Sequence, residues 1–153
     1  RIIENYAQVI EETDPETKKK SVKQIFPRYH QLGVVEYLLG KVKSEGIGQR
    51  YLIQHSAGSG KSNSIAWLAH QLIGLEKDGH PMIDSVIVVT DRRILDKQIR
   101  DTIKQFMQVS NTVEWAEHAG DLRKAITNGK KIIVRNITFR QPLTYFYQTI
   151  LYL

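Results

Sequence analysis

Apolar positions recur along the chain in two rhythms. Across residues 28–42, Leu32, Val35, Leu38, Leu39 and Val42 return every three or four positions. That spacing predicts an amphipathic helix, entered after Pro27 and weakened in its last turn by Gly40. Gly46 and Gly48 turn the chain into a short apolar run, Tyr51-Leu52-Ile53, which predicts a strand. From residue 62 a second helix carries Ile65, Ala66, Leu68, Ala69, Leu72 and Ile73, apolar over more than one face, and Gly74 and Gly79-His80-Pro81 end it. Val86-Ile87-Val88-Val89 is then continuous, the pattern of a strand buried on both faces of a parallel sheet. Residues 91–107 predict a further helix with Leu95, Ile99, Ile103 and Phe106 on one side and Arg93, Lys97, Arg100 and Lys104 on the other. Residues 109–120 read as a loop and 122–126 as a short helix. Asn128-Gly129 turns into a third strand, Lys131-Ile132-Ile133-Val134.

Strand and helix alternate, so the fold class is α/β: a doubly wound, mostly parallel sheet. Ahead of it, residues 1–24 read as a leading segment whose polar middle, 11–20, is a linker or exposed loop. Its Lys18-Lys19-Lys20 run is a solvated cluster or a phosphate contact. Residues 25–140 form the expected lobe, and 141–153 a divergent tail. Beginning at Arg1 and ending on Leu151-Tyr152-Leu153, the chain reads as a piece excised from something longer.

Composition narrows the classes. At 153 residues and 41% hydrophobic, the chain can bury one ordinary core. It has no cysteine, which excludes disulfide scaffolds, thiolate metal sites and cysteine nucleophiles. No apolar run reaches membrane-spanning length, and a cytoplasmic location is expected. The net charge is +6, and residues 91–140 hold eleven Lys/Arg against six Asp/Glu. That excess suits either a polyanion-binding face or a basic solvated surface.

The chemistry concentrates in Gln54-His55-Ser56-Ala57-Gly58-Ser59-Gly60-Lys61-Ser62, between a strand and a helix. Glycines let successive N–H groups curl round an anion, and the helix beyond turns its positive end to the same anion. Lys61 supplies a mobile charge for the β- and γ-phosphates, and Ser62 a hydroxyl for Mg²⁺. His55 stands where the usual pattern has its first glycine. It is a loop-shaping residue, an electrostatic neighbour of phosphate, or a substitution the backbone tolerates. His30, His70, His80 and His118 lack metal-ligand spacing, and no Asp-Glu pair follows a strand to hold Mg²⁺ and position water. A metabolite kinase would need an acceptor lid and an acidic base that the chain does not show. A non-catalytic phosphate-loop module remains a further class.

Three blocks in order resemble the restriction (R) subunit of type I restriction-modification enzymes: Phe26-Pro27-Arg28-Tyr29-His30-Gln31, the stretch from Tyr51 to Trp67, and Val86 to Gln98 with Thr90-Asp91-Arg92-Arg93. The resemblance spans roughly residues 24–134 and implies the first, incomplete part of a RecA-like, superfamily 2 helicase-like motor of the P-loop NTPase type. It implies that Ala57, Gly58, Ser59, Gly60, Lys61, Ser62 and Asn63 bind ATP, with Lys61 catalytic and Ser62 on Mg²⁺. Gln31 would read adenine, with Phe26 or Tyr29 stacked on the base. Thr90, Asp91, Arg92 and Arg93 would grip the backbone of double-stranded DNA without regard to sequence. The implied partners are methyltransferase and specificity subunits. Another superfamily 2 helicase or translocase is the alternative. Beyond Val134 the family continues with a Thr-Thr-x-Gln-like motif, where this chain has Arg135-Asn136-Ile137-Thr138-Phe139.

Overall fold

The computed structural model describes residues 6–14, 16–56, 58–90, 99, 101–105, 113–116, 118–136 and 148–152. Its first element is an antiparallel hairpin of β1 (Gln8–Thr13) and β2 (Lys20–Ile25). The sequence reading had a linker or exposed loop across 11–20; the structure confines the turn to the middle of that stretch and pairs both flanks. The Asp14 carboxylate accepts the N–H groups of Glu16 and Thr17 at 2.8 Å each, which closes the turn. Trp67 donates its buried indole N–H to the Tyr6 carbonyl at 3.0 Å and so ties this end of the chain to the core.

Helix α1 (Tyr29–Glu45) follows, longer than the apolar spacing predicted because Gly46, at φ 80°, accepts the terminating turn. It buries Gln31, Val35, Leu38 and Val42. Strand β3 (Arg50–Gln54) leads through the glycine loop into helix α2 (Lys61–Ile73). Helices α1 and α2 pack on each other, and α2 also lies against β6 (Val86–Thr90). Trp67, Leu68, Ala69 and Leu72 of α2 share one core with Val35 and Leu38 of α1 and Val88 of β6. Between α2 and β6 lies a small hairpin, β4 (Glu76–Lys77) and β5 (His80–Pro81). Its two-residue turn, Asp78-Gly79, has positive φ at both positions, 54° and 77°, as the right-handed strand twist demands.

The parallel sheet runs in the order β6, β8 (Ile132–Asn136), β7 (Val113–Ala116). Residues 109–120 were expected to be loop. Val113–Ala116 instead pairs in parallel with β8, with Val113 and Ala116 buried. Ile132, Ile133 and Val134 of β8 are each 0% exposed. Ile132 and Val134 face the main core, while Ile133 faces Ala125 and Leu122 of α3 (Ala119–Thr127). Both faces of the central strand are therefore covered, as a doubly wound layer requires. Strand β3 is not paired into that parallel sheet. It pairs antiparallel with β9 (Gln148–Tyr152), a strand contributed by the stretch expected to be a divergent tail. Among the described residues β3 thus takes its backbone partners from β9 and not from the parallel sheet.

Candidate functional site: the glycine loop and its braces

The loop leaves the carboxyl end of β3, where an α/β fold places its ligands. Gly58 and Gly60 both lie in the left-handed region, at φ 75° and 78°. Gly60 is the residue before α2, and its carbonyl accepts the Asn63 and Ser64 N–H groups at 3.0 and 3.2 Å. By helix geometry the N–H groups of Lys61 and Ser62 have no intrahelical acceptor and are presented at the positive end of a 13-residue helix. The Lys61 ammonium lies back across the loop, donating to the carbonyls of Ser56 at 2.8 Å and His55 at 3.3 Å. Ala57 lies outside the described residues.

Helix α1 braces this loop from outside. Gln31 is 3% exposed, and its amide is fully engaged. Nε2 donates to the carbonyls of Ser59 at 3.2 Å and Gly60 at 3.0 Å, and Oε1 accepts the Arg28 N–H at 2.8 Å. One side chain therefore caps its own helix and holds the phosphate loop. A Cβ at Gly60 would collide with Gln31 Nε2, so the closeness of this contact requires glycine in addition to the backbone angle. Neighbouring His30 bonds through Nε2 to the Ser59 carbonyl at 3.0 Å. Its ring stands edge-to-face with His55, centroids 5.4 Å apart. Burial first, then the His30 and Lys61 charges, hold the His55 imidazole below its ordinary value.

A polar cavity of about 400 Å³ opens beside the loop. It is lined by Gly58, Gly60 and Asn63 of the loop and α2, by Phe26, Arg28 and Gln31, by Ile10, Lys23 and Ile25 of the hairpin, and by Thr102 and Gln105. Tyr29, the other aromatic expected at a base, is 92% exposed. Thr90, expected on a DNA track, ends β6 buried, its hydroxyl without a hydrogen-bond partner. Asp91, Arg92 and Arg93 lie outside the described residues, as does most of the predicted basic stripe. Ile99 and Ile103 of that stretch are buried, as its apolar face predicts.

The donor set fits a triphosphate. It comprises a left-handed glycine cradle, a helix N-terminus and a lysine held only by loop carbonyls, with no carboxylate paired to Lys61, His30 or His55 among the described residues. For Mg²⁺ the Ser62 hydroxyl is the protein ligand the loop offers. No cluster of three or more His, Asp or Glu that could hold a metal occurs among the described residues. The brace formed by His30 and Gln31 was not read from the sequence. Gln31 carried a signal, since it falls on the buried stripe of Val35, Leu38 and Val42, but His30 meets His55 only in three dimensions.

The family model described as SWI2/SNF2 ATPase matches residues 30–144, more than half of the chain. The chain belongs to the SWI2/SNF2 ATPase family. Membership makes it part of an ATP-dependent, superfamily 2 helicase-like motor with a P-loop fold, in keeping with the α/β layer and parallel sheet. Motors of this kind typically bind DNA. Neither curated proteins nor solved structures give a significant match. Among the described residues no helix is long and apolar enough to cross a membrane.

Proposed function

We propose that this SWI2/SNF2-family chain is the ATP-binding part of the DNA-translocating motor of a type I restriction endonuclease R subunit, working in the cytoplasm with methyltransferase and specificity subunits. The observation that carries the nucleotide reading is the loop itself, left-handed at Gly58 and Gly60, under Lys61 and at the head of α2. Gly58, Ser59 and Gly60 would wrap the phosphates with backbone N–H groups. Lys61 would exchange its loop carbonyls for phosphate oxygens, and Ser62 would take one Mg²⁺ position. Bound ATP with Mg²⁺ supplies the phosphoanhydride whose hydrolysis drives the motor. The protein's part here is to bind, orient and screen charge. Asp91, Arg92 and Arg93, beyond the buried Thr90, would follow the DNA backbone.

The restriction assignment rests on the three sequence blocks and on Gln31 preceding the loop. The family match equally favours a remodelling or repair translocase of superfamily 2. An upstream Asp/Glu-x-Lys nuclease pattern in the same reading frame supports the first reading, and a frame without one supports the second. For the site, Lys61→Ala is expected to abolish binding of a fluorescent ATP analogue; binding at wild-type strength refutes the nucleotide reading. The chain alone should hydrolyse ATP poorly, since no acidic pair to hold Mg²⁺ and orient water is found in it. Robust DNA-stimulated turnover by the chain would contradict that.

A further inference from the structure

Three nitrogen groups converge on one side of the loop. Lys61 reaches the His55 and Ser56 carbonyls, His55 sits on the loop with its ring against His30, and His30 is bonded to the Ser59 carbonyl. His55 and Lys61 also line the same small cavity, together with Ser64 and the apolar Val34, Ile53, Ile65 and Leu68. Among the described residues the charged and titratable groups acting on His55 are His30 from α1 and Lys61 from α2, both of cationic type. The cluster therefore lacks an internal counter-charge among the described residues. The His30 bond to Ser59 uses Nε2–H, since a carbonyl oxygen only accepts, and it fixes the His30 ring against His55.

We propose that His55, with His30 packed against its ring, is a second cationic element of the phosphate site and takes up a proton from solvent when a triphosphate settles on the loop, so that nucleotide affinity rises as pH falls. The inference rests on the nucleotide reading above. An imidazole first desolvated by burial and then faced by a second imidazole and a lysine resists protonation. A polyanion placed among the three reverses the sign of the local potential and favours it. The complex then binds more protons than the free chain, and by linkage affinity climbs from pH 8 towards pH 6. His55 in the position usually given to glycine acquires a purpose beyond loop shape.

The test follows the five histidines of the full chain by the NMR shift of each Cε1–H against pH, with and without Mg·ATPγS. The expected result is a rise of about one unit in the His55 midpoint on binding, equivalent to about tenfold in affinity across the titration. The signals of the exposed His80 and His118 serve as internal references. His55→Asn is expected to flatten the pH dependence of analogue binding, with His30→Asn as the second variant should the first not fold. Nucleotide bound with every histidine midpoint unmoved overturns the proposal and leaves the nucleotide reading standing. No binding by the wild-type chain at any pH overturns both.

Discussion

Replacing Gln31 separates two roles that the same residue could play. As a reader of adenine, its loss would relax the choice between ATP and GTP and leave the fold alone. The structure divides its amide between the loop and its own helix: Nε2 donates to the Gly60 and Ser59 carbonyls at 3.0 and 3.2 Å, and Oε1 accepts the Arg28 N–H at 2.8 Å, on a side chain 3% exposed. Each buried bond contributes about 0.5–1.5 kcal/mol net. The Gly60 carbonyl keeps the Asn63 and Ser64 N–H groups after truncation, which softens part of the loss. Gln31→Ala should therefore cost about 2–3 kcal/mol, a fall of about 5–10 °C in Tm for a domain of this size. Gln31→Met keeps most of the volume without the amide and should recover less than half of that loss. Urea unfolding followed by tryptophan fluorescence measures the stability, and fluorescent ATP and GTP analogues measure binding. A strut predicts lower stability with both nucleotides weakened by a similar factor. A Gln31→Ala chain that unfolds at the wild-type urea midpoint while losing only its preference for adenine would refute the reasoning.

Gly60→Ala should destabilise by about 1–2 kcal/mol from its left-handed angle alone, with a further loss of nucleotide binding as Gln31 is pushed off the loop, read by the same melts and analogues. Trp67→Phe removes the indole bond to the buried Tyr6 carbonyl and should cost about 2 kcal/mol in urea unfolding, with earlier proteolytic cutting ahead of α1. Burial holds the His70 imidazole below its ordinary value of 6.5. The folded state then binds fewer protons than the unfolded one, so stability is full above that value and falls as pH drops through the folded-state value. His70→Gln should flatten the profile between pH 7 and 5 in thermal melts. Alanine at Arg92 or Arg93 should weaken binding to any DNA sequence and lower the salt slope by about one, measured by fluorescence anisotropy.

The strand, loop and second helix of the site were legible because each has a local cause: an apolar run, glycines at required angles, and an apolar helix face. The parallel strands at Val86–Thr90 and Ile132–Asn136 were legible as continuous apolar runs for the same reason. The β1–β2 hairpin was not, since Val9 and Val22 are 53% and 70% exposed and few of its apolar residues turn inward. Val113–Ala116 is too short, and broken by Glu114, to show a period; only pairing with β8 makes it a strand. The Asp78-Gly79 hairpin turn was present as a dipeptide signal but was absorbed into the end of the helix. Gln31 illustrates a subtler loss. A polar residue on an apolar stripe is read as surface or as ligand contact, whereas its stripe position, four residues before Val35, foretold burial.

The braces also bear on how the loop exchanges partners. In this conformation Lys61 satisfies the His55 and Ser56 carbonyls, Gln31 satisfies those of Ser59 and Gly60, and His30 adds a second bond at Ser59. A phosphate that draws Lys61 away gains charge-assisted bonds of roughly twice the ordinary strength. It strands only the Ser56 and His55 carbonyls, the first on an exposed residue that water can reach. The same phosphate has no need to disturb Gln31, whose bonds lie on the opposite end of the loop. The cradle can thus trade its lysine to a ligand while α1 keeps its far end fixed. Affinity should therefore depend on Gln31 through the shape of the loop and on Lys61 through direct charge. Combined in one chain, Gln31→Ala and Lys61→Ala should lose stability additively in urea unfolding, because the two side chains share no hydrogen-bond partner.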